Sequence, residues 1–371
     1  MYMTPSTMVI SYWQFAWTCQ RRSTRLIILS FYINYGIVGT PNNWFKSYLS
    51  HRKQYVQFNN HNSPHLETLH GAPQGSKLAP LMFLLYINDI VNSSSYLRFL
   101  LYADDSILYV SGKNINEMIR STNNELVTVS KWLASNKLTL NLEKSHYLIF
   151  NRNKIFPIQM SPLIICSKTL TRKPFTKFLG VIVDEQLNYK EHIINVTNKI
   201  NKQSGILYLT RDSLTITARK QIYYSLIYPY LTYCITIWGA VCQTTIKPIV
   251  IAQKRAIRTI MGLRRYDHTH DSFCTLRFLK FNEIKMYFCA LFVFKSLKLY
   301  NNNLFHLRNT DSYGLRFPNV LTVPMTRSKQ SESCIRYYSV NIWNDLPTQV
   351  RKASSITSFK RLLKIYLLSR Y

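Results

Sequence analysis

Leu100-Leu101-Tyr102-Ala103-Asp104-Asp105-Ser106-Ile107-Leu108-Tyr109-Val110 sets two adjacent acids between two apolar runs. Leu97, Phe99, Leu100 and Leu101 lead in, and Ile107, Leu108, Tyr109 and Val110 lead out. Both runs are short and rich in β-formers, which predicts two strands joined by a tight turn that carries Asp104 and Asp105. Turns accept Asp for purely local reasons, because its side chain can bond nearby backbone. A two-carboxylate turn at the tip of an otherwise apolar hairpin also suits a metal. Mg²⁺ takes hard oxygen ligands and is usually held by one or two carboxylates together with substrate phosphates.

Working outward, the chain of 371 residues has room for two or three domains, and 47% hydrophobic residues supply a core. Lys and Arg number 47 against 17 Asp and Glu, a formal charge of +30. Such an excess favours a polyanionic partner, most simply nucleic acid. Aromatic residues make up 14%; most belong in a core, though rings among basic residues can stack on bases. The seven Cys and nine His show no paired or metal-ligand spacing, which argues against a disulfide framework or a zinc site and fits a reducing compartment. No secretory pattern opens the chain, so an intracellular protein of the nucleus or cytoplasm is expected rather than a secreted one. The stretch Gln221 to Gln243 is uncharged, but it is crowded with Tyr and interrupted by Pro229, so a buried broken helix is expected there and not a membrane span.

Upstream of the acids, Pro41 to Leu49 reads as a short helix and Gln54 as the start of a strand. The loop His70-Gly71-Ala72-Pro73-Gln74-Gly75-Ser76 then enters the apolar helix Leu81-Met82-Phe83-Leu84-Leu85-Tyr86-Ile87-Asn88-Asp89. Its glycines permit close backbone approach, and a helix start offers free N–H groups to phosphate. The same pattern also describes an ordinary loop–helix junction.

Gly71 to Ser76, then Tyr86-Ile87-Asn88-Asp89, then Tyr102-Ala103-Asp104-Asp105 resemble the central region of a reverse transcriptase from a non-LTR, jockey-like retrotransposon. Trp44-Phe45-Lys46-Ser47-Tyr48-Leu49 with Arg52-Lys53-Gln54, Asn136 to Asn141 with Lys144, Phe178-Leu179-Gly180, and Trp238-Gly239 with Gln253 to Arg258 extend the resemblance. It runs from about Tyr35 to the end. The resemblance implies an α+β fold: a polymerase right-hand palm, an antiparallel sheet with helices, over 35–181, a helical thumb over 182–262 and a basic C-terminal region over 263–371. It implies that Asp104 and Asp105 hold Mg²⁺, and that Tyr102 and Ala103 lie beneath the primer end. Gly71, Pro73, Gln74, Gly75 and Ser76 would face template and nucleotide, Lys144 the triphosphate, and Phe178, Leu179 and Gly180 would grip the primer. RNA template, DNA primer and deoxynucleoside triphosphates are the implied partners, with no membrane and no sign of a protein partner. Fingers and the endonuclease domain that precedes such polymerases are expected to be largely missing from this sequence.

The chain departs from the family at one place. The family has a third carboxylate on an earlier strand, in a pattern like Asp-Leu-Ser-Lys-Ala-Phe-Asp upstream of Tyr35-Gly36-Ile37, but the first acid here is Glu67. The genetic code offers a reason. Trp17 is TGG and Thr18 begins AC, so a frame moved two bases along contains GAC, an Asp codon. Permitted codons continue it from Ala16 to Ile27 as Met-Asp-Leu-Ser-Lys-Ala-Phe-Asp-Thr-Val-Asp. Residues 13–28 therefore read as the first catalytic strand out of frame, and 1–34 as a disrupted, pseudogene-like segment whose Arg21, Arg22 and Arg25 would bring positive charge towards the metals. The expectation is a reverse transcriptase copy with little or no polymerase activity; the competing function is a non-catalytic nucleic-acid-binding remnant.

Further along, the spacing predicts a helix over Asn116 to Asn136 with Ile119, Leu126, Val129 and Leu133 on one face, and a strand over Tyr147 to Phe150. Helix is predicted from Ile182 onward, with Ile193, Val196, Ile200 and Leu207 buried and a basic side at Lys190, Lys199, Lys202 and Arg211 for the template–primer backbone. Asp267-His268-Thr269-His270-Asp271 looks like a metal cluster but reads as loop. The segment from Arg308 to Ser333 reads as flexible.

Overall fold

Thr7–Ala16 (β1) form a ten-residue strand. Its text, Thr-Met-Val-Ile-Ser-Tyr-Trp-Gln-Phe-Ala, is dense in β-formers but lacks alternation. Within the stretch 1–34, read as disrupted, residues 7–16 thus form a regular strand. The structure is a computed structural model that describes residues 7–16, 36–68, 75–136, 138–151, 160–298, 304–307, 320–326 and 329–371. It divides once, between Phe178 and Leu179, into two compact units. The stretches 182–262 and 263–371, expected as separate regions, share one core.

In the first unit, helix α1 (Gly39–Leu49) is followed by short ribbon pairs and by helix α2 (Leu78–Ile87). Strands β2 (Arg98–Tyr102) and β3 (Asp105–Gly112) then form the hairpin expected from the sequence. Helix α3 (Ile115–Ser135) follows, then β4 (Thr139–Leu140), β5 (His146–Phe150) and β6 (Thr171–Arg172). The sheet order is β6-β5-β1-β3-β2, with β4 paired to the end of β1. All pairings are antiparallel except β5 with β6.

The predicted α3 stripe is the one that packs. Ile119, Leu126, Val129 and Leu133 are buried together with Leu108 and Val110 of β3 and Tyr147 and Ile149 of β5. Asn114 starts the helix, its side-chain oxygen accepting the N–H groups of Asn116 (3.0 Å) and Glu117 (3.4 Å). Gly112 allows α3 to close on β3, because a Cβ there would come within 2.8 Å of the Met118 side chain.

The second unit opens with the strand Val181–Asp184 (β7) and only then becomes helical, which corrects the expectation of helix from Ile182. A short apolar run without periodicity does not separate strand from helix. Asp184 ends the strand and shapes the next turn: its carboxylate accepts the N–H groups of Gln186, Asn188 and Tyr189. Helix α4 (Lys190–Leu209) buries Ile193, Val196, Ile200 and Leu207 as predicted. Next come α5 (Ile216–Ile222), a wide turn at Tyr223–Ile227, α6 (Tyr228–Thr232), α7 (Ile235–Trp238) and α8 (Gln243–Met261). The uncharged stretch is thus a broken helix, and no helix among the described residues is long and apolar enough to cross a membrane. Helices α9 (His270–Leu276), α10 (Phe281–Lys298), α11 (Ile335–Asp345), α12 (Thr348–Arg351) and α13 (Ile356–Leu368) complete the unit. Part of the segment expected to be flexible is anchored: Leu321 is buried, and its backbone exchanges hydrogen bonds with the Asn344 side chain.

His192 on α4 gives this core a pH limit. Its Nδ1 accepts the Ile182 N–H at 3.3 Å and its ring meets Trp238 edge-on, with 3% of the residue exposed. Burial, and then the positive charge of Lys199, push its pKa down to about 4. In the unfolded chain the ring protonates near pH 6.5, so stability is fully present above that value and is lost as pH falls towards 4. Denaturant unfolding at about pH 4.5 should show this unit weaker by about 2.5 kcal/mol through this group than at neutral pH. His192→Gln should remove that part of the pH dependence; a parallel loss in the variant would refute the assignment.

Candidate functional site

The paired acids sit at the tip of the β2–β3 hairpin. Tyr102 pairs with Asp105, leaving Ala103 and Asp104 as the two central residues of the turn. Ala103 has φ +49°, the left-handed region that a two-residue hairpin turn needs at its first central position and that glycine usually supplies. An alanine held there costs about 1–2 kcal/mol. Strained backbone of this kind concentrates at functional sites, which favours a working turn over a merely tolerant one. Asp104 and Tyr102 are exposed and Asp105 is half-buried. The next residue, Ser106, is fully buried with its hydroxyl unpartnered.

The register of the sheet fixes what lies beside this turn. Gln14 of β1 stands opposite Asp105, so the C-terminal end of β1 runs alongside the acids. On its other side β1 pairs with β5 from Met8↔Phe150 to Tyr12↔His146. β5 begins at His146 opposite Tyr12, so the turn that carries Lys144 leaves the sheet at the end where Asp105 lies. Lys144 is exposed in the turn that enters β5. His146 holds that turn: its Nδ1 donates to the Lys144 carbonyl (2.9 Å), and its Nε2 accepts from the Thr176 hydroxyl (2.6 Å). Burial lowers the His146 pKa, which keeps the ring in the neutral form this arrangement requires.

Of the glycine-rich loop, Gly71, Pro73 and Gln74 lie outside the described residues, as do Arg21, Arg22 and Arg25. Gly75 has φ +79°. Ser76 accepts the Leu78 N–H at 3.1 Å and hydrogen-bonds the Tyr48 hydroxyl, joining the start of α2 to α1. One of the free N–H groups expected to meet phosphate is therefore satisfied within the chain. Phe178 ends the strand Phe175–Phe178 of the first unit. Leu179 and Gly180, at φ +45° and +85°, open the second; the Tyr233 hydroxyl donates to the Leu179 carbonyl, and its ring lies 3.3 Å from where a Gly180 Cβ would stand.

The structure thus brings Tyr102, Ala103, Asp104 and Asp105 into one turn and sets Lys144 at the same sheet end. Sequence reasoning missed the β1 backbone beside Asp105, the His146 brace and the Tyr48–Ser76 link. Only Tyr48 left a signal, as part of the Trp44 to Leu49 motif. Asp104 and Asp105 are hard oxygen donors of the type Mg²⁺ takes. Among the described residues no group of three or more His, Cys, Asp or Glu is placed to hold a metal, the Asp267 to Asp271 stretch included. The doublet fits one ion by donor type and does not fit a pair.

Residues 32–183 match the family described as Reverse transcriptase (RNA-dependent DNA polymerase). The chain is similar to the "Probable RNA-directed DNA polymerase from transposon BS" of Drosophila melanogaster, 28% identical over 231 residues, which cover 60% of this chain and 25% of the relative. It is also similar to the "RNA-directed DNA polymerase from mobile element jockey" of the same organism, 24% identical over 238 residues, or 61% of this chain and 25% of the relative. The chain spans about a quarter of the length of the curated relatives it matches.

Proposed function

We propose, from the premise that residues 32–183 carry a reverse transcriptase domain, that the chain is the catalytic centre and following region of a non-LTR retrotransposon's RNA-directed DNA polymerase. The observation that carries this reading is the Asp104-Asp105 turn, strained at Ala103, inside the matched segment. In this reading the first unit's sheet is a palm and the start of the second unit a thumb. An RNA template directs deoxynucleotide addition to a DNA primer 3′-hydroxyl, inside the cell, in the nucleus or the cytoplasm. Mg²⁺ in such a site supplies charge stabilisation at the reacting phosphate. Asp104 and Asp105 would hold it, Tyr102 and Ala103 would support the primer end, and Lys144 at the same sheet end would offset the triphosphate charge. Gly71, Pro73, Gln74, Gly75 and Ser76 would meet template and nucleotide, and Phe178, Leu179 and Gly180 the primer.

A specific observation favours a second reading for the chain as its sequence stands. β1, the strand beside Asp105, contains no acid, and neither does any residue before Glu67. The family match starts at residue 32, just past the segment 13–28 that reads as out of frame. Both observations support an inactive copy that retains nucleic-acid binding through its charge. Templated primer extension with Mg²⁺ decides between the two: the chain as written should show almost none, and a rate near that of an intact relative would refute the inactive reading. In a copy with the second frame restored, Asp104→Asn with Asp105→Asn should lower extension at least about a hundredfold while changing primer–template binding less than about threefold, because the substitutions remove a metal site and not the basic surface.

A further inference from the structure

The last helix carries a surface that the polymerase reading does not use. In α13 the side chains of Phe359, Leu363 and Leu367 are fully buried, and Phe359 stacks on Phe294 (4.3 Å) and Trp343 (5.9 Å). This packing fixes the rotation of the helix and turns Lys360, Arg361 and Lys364 to solvent. Lys352 before the helix and Arg370 after it are also exposed. No acid occurs between Leu346 and Tyr371, so nothing on this part of the chain neutralises these cations. Lys360 and Lys364 lie one turn apart, about 6 Å along the axis, with Arg361 on the adjoining row. Like charges at that spacing oppose helix formation, and a polyanion laid along the face relieves the repulsion.

The chemistry selects the partner. The apolar stripe of α13 is committed to the core, and the one large apolar side chain on its solvent side, Ile365, is too small a surface to insert into a bilayer or fill an apolar groove. Its solvent side bears no aromatic residue on which an unpaired base could stack. What remains is a row of point charges suited to a closely spaced row of phosphates. We propose that the exposed face of α13 docks the sugar–phosphate backbone of duplex nucleic acid, independently of sequence and outside the segment that matches the polymerase family. The proposal does not rest on the Asp104-Asp105 site, and lack of primer extension leaves it untouched.

The test uses the whole chain and a short mixed-sequence DNA duplex, with affinity followed by anisotropy from about 50 to about 200 mM salt. Replacing Lys360, Arg361 and Lys364 together by Gln should lower affinity at least about tenfold at low salt, equally for unrelated duplex sequences, and reduce the salt slope by about 2–3. A charge-preserving variant, Lys360→Arg with Arg361→Lys and Lys364→Arg, should bind like the parent. In the unaltered chain, duplex should protect Lys360 and Lys364 from acetylation, a readout that does not depend on the variants folding. An unchanged slope in a folded Gln variant, or unprotected lysines in the parent, overturns the proposal. So does loss of binding to phosphatidylserine vesicles with duplex affinity retained, which would make the face a membrane contact.

Discussion

Replacing residues 16–27 by Met-Asp-Leu-Ser-Lys-Ala-Phe-Asp-Thr-Val-Asp should raise templated, Mg²⁺-dependent primer extension at least about a hundredfold over the chain as written. The new Asp would follow β1 by one residue, and β1 reaches the level of Asp105 at Gln14. It would therefore enter at the sheet end that already holds the doublet. Two carboxylates offset the charge of one divalent ion, whereas a pair of ions needs a further shared carboxylate to fix it. Metal stabilisation of a phosphoryl transition state is worth several kcal/mol, and each 1.36 kcal/mol is tenfold in rate. The same hypothesis makes a claim on the nucleic acid. Genomic sequence across codons 10–35 should show the second frame intact, ending in a single-base discrepancy with the frame downstream. Stop codons in the second frame, or no gain from the replacement, would sink it.

Trp238→Ala should be the most damaging single truncation in the second unit, at about 3–5 kcal/mol. The side chain is fully buried, stacks on Phe281 at 5.7 Å, and donates from Nε1 to the Tyr233 carbonyl at 2.8 Å. Truncation opens a cavity, orphans that carbonyl and removes the ring that His192 meets. Folded domains are stable by only about 5–15 kcal/mol, so a loss of this size takes a large share. Hydrogen exchange resolved by peptide is the suitable measurement. Protection should fall throughout α4, α8 and α10 and hold in β3 and β5 of the first unit. Trp238→Phe, which keeps most of the volume, should cost less than half as much. A loss of protection confined to α7 would show that Trp238 is peripheral.

What could be read from sequence follows the strength of local pattern. Helix α3 was expected over Asn116 to Asn136 and occurs at Ile115–Ser135, because an amphipathic stripe repeats often enough to fix both face and length. The α4 face was equally legible. β1 was not, because its text carries no regular alternation for periodicity to detect. The helix expected from Ile182 starts only after the strand Val181–Asp184, because four residues carry no period. At the site, the turn bearing Asp104 and Asp105 was placed from its flanking apolar runs. Its strain at Ala103 was not, since alanine gives no sign of a positive φ. Tyr48 meets Ser76 across 28 positions and His146 meets Thr176 across 30, distances at which no local rule operates.

The lodging of Thr7–Ala16 between β3 and β5 bears on how such a gene ages. A ladder is made by peptide groups, and any text with enough β-formers can supply them. A catalytic carboxylate is one side chain at one codon. Once selection relaxes, chance mutation therefore silences the chemistry early and dismantles the architecture late. If the chain is an inactive copy, as proposed above, it is a polypeptide that keeps its sheet and its strong positive charge without the chemistry.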